Sequence, residues 1–185
     1  FHLARACGMD NINMDLIAGL PGDTVEGFRA TLDGVLALSP ESVTVHTLSL
    51  KRSAQLFQDG AGEPEGETAA QMLDYAQSRL TGQGYLPYYL YRQSRMVGNL
   101  ENIGWCLPGC ESPYNVYIMD ETHTILACGT GAATKVKRPG VDELERIFNF
   151  KFPYEYINRF QEVLERKNRV KQCYEQFQGT VCPLP

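Results

Sequence analysis

The chain has 185 residues, with 17 lysines and arginines against 22 aspartates and glutamates, for a net charge of −5. That acidic balance argues against a nucleic-acid partner, and no apolar run reaches the length of a transmembrane helix. A hydrophobic core fits in this length but a complete (β/α) barrel, which takes about 250 residues, does not. No signal peptide is visible, so the expectation is a cytoplasmic protein with no membrane partner.

Phe1 to Gly8 reads as the last turns of a helix closed by glycine, so the chain is expected to begin inside a domain. Asn11 to Ala18 then alternates, with Ile12, Met14, Leu16 and Ala18 on one face and Asn13 and Asp15 on the other. A helix following such a strand covers the apolar face, which turns Asn13 and Asp15 toward a barrel lumen or crevice. Leu20-Pro21-Gly22-Asp23 fits a type II turn, with proline presetting φ at the second position and glycine supplying positive φ at the third. Asp23 and Glu26 have capping-box spacing, and Val25, Phe28, Leu32, Val35 and Leu36 recur on one face of a helix that runs to about Leu38. Val43 to Leu50 is a second alternating run, and the short connection predicts a parallel pair.

Phe1 to about Phe57 is therefore expected to be the end of a barrel. Gln58 to Glu67, acidic and rich in glycine and proline, reads as a mobile loop or linker. A helix is predicted over Thr68 to about Leu80, and Tyr85 to Gln93 is aromatic-rich and extended. Asn115 to Met119 and Thr124 to Cys128 read as strands of a hairpin around Asp120-Glu121. Val141 to Phe148 and Tyr154 to about Tyr174 read as helices, and residues 179–185 as a disordered tail. The fold class is α/β: the end of a partial parallel (β/α) barrel (1–57), a linker (58–67) and an α+β C-terminal region (68–178).

Several residue types invite a chemical reading and also an ordinary one. His46 alternates with Val45 and shares a face with Leu48 and Leu50, which favours a buried, hydrogen-bonded histidine over a base. Tyr88, Tyr89, Tyr91, Trp105, Tyr114 and Tyr117 could line a flat pocket, but aromatic strands usually pack a core. GTGAAT, from Gly129 to Thr134, is a tight turn or a place of close backbone approach; it lacks the third glycine of a dinucleotide fingerprint. Lys135, Lys137 and Arg138 form the only dense basic cluster, read as a solvated loop. Cys7, Cys128 and Cys173 lie in apolar patterns and read as small buried hydrophobes.

MDLIAGLPGDT resembles the late-barrel motif of radical S-adenosylmethionine (SAM) enzymes of the oxygen-independent coproporphyrinogen III oxidase family. NIGWCLPGCESPYNVYIM is similar to that family's aromatic, Pro-Gly loop, ILACGTGAAT to its Gly-x-Gly-Ala segment, and the region around Tyr154 to Phe160 to its final helical domain. NLENIGW and YNVYIM look most like the coproporphyrinogen dehydrogenase branch. The resemblance implies a SAM cofactor and a [4Fe-4S] cluster held by a C-x-x-x-C-x-x-C loop. Cys106 and Cys110 have the first spacing, but Pro113 stands at the third position, so they read as two loop cysteines, with a shared metal or a redox pair as the minor alternative. The cluster loop is then expected in an absent N-terminal part, and this chain, as a C-terminal fragment, is expected to be inactive alone.

By the same resemblance, Asp15 matches a SAM-binding aspartate, Ser49 a position contacting the same SAM, and Ala133 a place where backbone approaches it. A lumen-facing carboxylate can accept hydrogen bonds from ribose hydroxyls or an ammonium; alternatively it pairs with an arginine or caps a loop. Ser49 departs from the family's small residue and neighbouring aromatic. The implied activity is oxidative decarboxylation of coproporphyrinogen III propionates to vinyls in haem biosynthesis. It requires a tetrapyrrole substrate and an electron donor. A haem-binding chaperone of the same family and a non-catalytic interaction module are the other two readings.

Overall fold

The computed structural model describes residues 1–49, 66–92, 96–138 and 140–178. The last part of the expected barrel segment, nearly all of the expected linker at 58–67 and the expected tail at 179–185 lie outside them. The chain divides into two units, Phe1–Pro113 and Tyr114–Pro185.

The first unit contains α1 (His2–Ala6), β1 (Asn13–Ala18), α2 (Val25–Ala37), β2 (Ser42–Thr47), α3 (Gly66–Gly82), β3 (Leu86–Tyr91) and β4 (Asn102–Cys106). β1 and β2 are parallel, as their short connection predicts, with Asp15 opposite Thr44 and Ile17 opposite His46. Beyond them the sheet turns antiparallel: β4 lies against β2 and β3 against β4, giving the order β1-β2-β4-β3. The α/β strand pair is thus continued by a mixed sheet. The division also differs from the one expected at 58–67, because α3 buries Ala69, Met72, Ala76 and Leu80 within the first unit.

One face of this sheet holds the core. Leu16 and Ala18 of β1, Val43 and Val45 of β2 and Trp105 of β4 meet Phe28, Leu32 and Val35 of α2 and Met72, Ala76 and Leu80 of α3. Each large apolar side chain so buried stabilises the fold by about 1.5–3 kcal/mol. The turn into α2 is the expected type: the Asp23 N–H donates to the Leu20 carbonyl at 3.0 Å and Gly22 sits at φ +79°. The cap, however, is Thr24 and not Asp23. Thr24 Oγ1 accepts the Gly27 N–H at 3.0 Å, while Asp23 Oδ1 accepts the N–H of Thr24.

The second unit takes in α4 (Pro113–Asp120), whose first residue closes the first unit, then β5 (Ala133–Lys137), β6 (Leu144–Phe148), α5 (Pro153–Asn158) and α6 (Phe160–Gln178). Two expectations are corrected here. Asn115 to Met119 is helical, since Pro113 presets a helical φ at the first position, and Ile125 bridges Lys135 of β5 instead. Val141 to Phe148 holds a strand, β6, antiparallel to β5, with the ion pairs Lys137–Asp142 and Arg138–Glu143 across the turn.

Lys135 and Lys137 accordingly belong to a strand and not a solvated loop; Lys135 Nζ is 2.8 Å from Glu121. The expected helix from Tyr154 breaks at Arg159 into α5 and α6. Cys173 packs with Val136 and Ile147, whereas Cys7 and Cys128 are exposed, one beyond α1 and the other in the glycine loop.

Candidate cofactor-binding face

The sheet face opposite the core is polar. Strand alternation places Asn13 and Asp15 of β1 and Thr44 and His46 of β2 on it, because Met14, Leu16, Val43 and Val45 occupy the core side. Asn13 Nδ2 donates to Asp15 Oδ1 at 2.6 Å, and Thr44 Oγ1 donates to Asn13 Oδ1 at 3.1 Å. His46 Nε2 stands 3.8 Å from the same Asp15 Oδ1, with the imidazole 30% exposed and the carboxylate 61% exposed. His46 is therefore not the core histidine its neighbours suggested. It shares a face with Thr44, and its partner is a carboxylate on the adjacent strand.

Tyr89 reaches this row from β3 across β4. It pairs with Gly104, and a Cβ at position 104 would lie 1.9 Å from Tyr89 Cε1, so only glycine lets the ring rest over β4. The phenol oxygen is 3.3 Å from Thr44 Oγ1. Burial, the largest influence, pushes the Tyr89 phenol up, and the Asp15 charge adds to it. Tyr91 stacks on Tyr89 at 6.3 Å, and Tyr88 meets it edge-on at 4.7 Å. Of the remaining aromatics weighed between core and pocket, Trp105 is in the core and Tyr114 and Tyr117 are exposed.

Ser49 follows β2 and forms an isolated antiparallel bridge with Met96. Ala133, in the second unit, is the first residue of β5 and pairs with Phe148. The glycine loop before it is held from several sides. Asn149 Nδ2 donates to the Gly129 carbonyl at 2.7 Å, the Gly129 N–H donates to Tyr156 Oη at 3.2 Å, and the Gly131 N–H donates to the Phe150 carbonyl at 2.7 Å. Lys167 Nζ donates to Ala127 O at 2.8 Å and Thr134 Oγ1 at 2.7 Å, and burial lowers its pKa. Gly129 and Gly131 have φ of +97° and +68°, a backbone that other residues rarely adopt.

An exposed carboxylate with one oxygen already held suits a ligand that offers hydroxyl or ammonium donors, so Asp15 fits SAM in that respect. A four-iron cluster is different. The 185 residues hold no C-x-x-x-C-x-x-C triplet, and among the described residues no group of three or more His, Cys, Asp or Glu is placed to hold a metal ion. Cys106 is buried, and that burial pushes its thiol up to about 11, far from the thiolate form a metal requires. The residues of this chain do not fit the cluster.

In fold, the chain is like coproporphyrinogen III oxidase (HemN) from Escherichia coli, described as a radical SAM enzyme. The TM-score is 0.59 at 20% identity, covering 87% of this chain and 36% of that one. Its sequence is 44% identical over 181 residues to the oxygen-independent coproporphyrinogen-III oxidase-like protein HemZ of Bacillus subtilis, covering 95% of this chain and 36% of HemZ. It is 26% identical over 181 residues to the heme chaperone HemW of Lactococcus lactis, covering 95% of this chain and 44% of HemW. No family model matches. The chain is thus similar in sequence to proteins of the oxygen-independent coproporphyrinogen III oxidase group and like one of them in fold. It spans about a third of the length of HemZ.

Proposed function

We propose that this chain is the cofactor-supporting C-terminal part of a radical SAM oxidoreductase that converts propionate side chains of coproporphyrinogen III to vinyl groups in haem biosynthesis. The observation that carries the reading is Asp15, presented on an open polar face in a chain that is 44% identical to HemZ along 95% of its length. SAM, when bound with an iron-sulfur cluster and an electron donor, supplies the radical that starts such a decarboxylation. The residues here bind and orient. In the first unit Asp15 accepts from the ligand and Ser49 stands beyond the end of β2; the second unit, taken by itself, holds a braced Gly129–Ala133 loop whose backbone is open to close approach.

The first test is anaerobic reconstitution of this 185-residue chain with iron and sulfide. It is expected to give neither the cluster's visible absorption nor SAM cleavage; either signal overturns the division of labour proposed. Turnover of coproporphyrinogen III by the intact gene product, with loss of carbon dioxide, tests the activity. The similarity to heme chaperone HemW favours one second reading, a haem-binding protein. Haem titration of the intact gene product giving a saturable Soret band, with no porphyrinogen turnover, would establish that reading instead.

A further inference from the structure

The hydrogen bonds on the open face all point one way. Asp15 as a carboxylate only accepts, so Asn13 presents its amide nitrogen there and its carbonyl oxygen to Thr44. The Thr44 hydroxyl has a single hydrogen, which that carbonyl receives, so Tyr89 must be the donor in the 3.3 Å contact with Thr44. Donors therefore run from Tyr89 through Thr44 and Asn13 to Asp15, crossing β4 at the one position where Gly104 leaves room. Such a chain polarises toward the anion at its end, so each link strengthens the next. His46 approaches the same Oδ1 from β2. The Asn13 amide and the His46 imidazole thus both stand at Oδ1 of a carboxylate that is 61% exposed.

We propose that Tyr89, Thr44 and Asn13, together with His46, are positioning residues that hold Asp15 in the orientation its ligand requires. This rests on the reading of Asp15 as a SAM contact. None of the four residues needs to touch the ligand; their effect passes through Asp15. A carboxylate held at Oδ1 and 61% exposed suits a ligand group that donates, a ribose hydroxyl or an ammonium, over one that accepts.

The test measures SAM binding by equilibrium dialysis on the intact gene product, with thermal melts to confirm folding. D15A is expected to weaken binding at least about tenfold, and Y89F and H46F each roughly two- to fivefold. H46Q, which keeps an N–H donor, should recover most of the loss. The deciding measurement is the double variant: Y89F in a D15A background should cost nothing further, because its effect has no other route. Additive losses, or Y89F and H46F binding like the parent while D15A fails, overturn the positioning role and leave Asp15 as a ligand contact. Unchanged binding by D15A overturns the cofactor reading itself, and the positioning role falls with it.

Discussion

Asp15 is legible in the sequence as a polar residue on the open side of a strand, but its surroundings are not. Asn13 is two positions away and follows from alternation; Thr44, His46 and Tyr89 depend on strand register, which no local pattern records. His46 shows the cost of that gap, since neighbouring leucines suggested a core side chain while pairing placed it beside a carboxylate. The cysteines make the same point. Native-state labelling with iodoacetamide at pH 8, read by peptide mass spectrometry, should modify Cys7 and Cys128 first. Cys106 and Cys173 are buried with their thiols pushed up by that burial, and should react only on unfolding.

A second residue-scale effect concerns Glu121, whose carboxyl is held below its ordinary value of 4.5, first by the hydrogen bond from Lys135 and then, against some opposing burial, by the charges of Lys135 and Arg146. A carboxyl lowered in the folded state stabilises it above the ordinary value and loses that contribution as pH falls through the folded one. The thermal midpoint of the parent chain should therefore exceed that of E121Q at pH 6, with the gap closing below pH 4.5. A gap independent of pH would show that the pair does not act through ionisation.

Among elements, the β1–turn–α2–β2 unit is readable because two periods and a Pro-Gly turn agree. The strand at Asn102–Cys106 is hidden, because it is short and carries glycine at its centre, and glycine weakens a strand pattern. That glycine is what allows Tyr89 to lie across β4. G104A should displace the ring and destabilise the first unit by about 1–3 kcal/mol as an overpacked site, measured by urea unfolding. G104A/Y89A, which removes the ring, should recover part of the loss. Helix α4 and strand β6 depart from their local sequence patterns in opposite directions. Pro113 outweighs the strand-forming residues after it, and pairing to β5 outweighs the helical spacing of Val141 to Phe148.

At the scale of the whole molecule, composition and charge narrowed the partners but assigned neither the two units nor their boundary. An acidic, glycine-rich stretch looks like a border, yet the helix after it packs in the first unit's core. Contacts across long sequence separations decide that, and they are invisible until the sheet order is known. Among the described residues, no helix is long and apolar enough to cross a membrane.

The chain's single tryptophan, Trp105, sits on β4, which pairs with β2 although α3 and β3 intervene in the chain, and it lies against Val43 in the core. Closing so long a loop is entropically costly, so β4 should dock late, after the helices have gained their far-ultraviolet signal. Trp105 is thus a native clock for the step that completes the sheet. In stopped-flow refolding its fluorescence should change more slowly than ellipticity at 222 nm; identical traces would mean that the four strands assemble in one event.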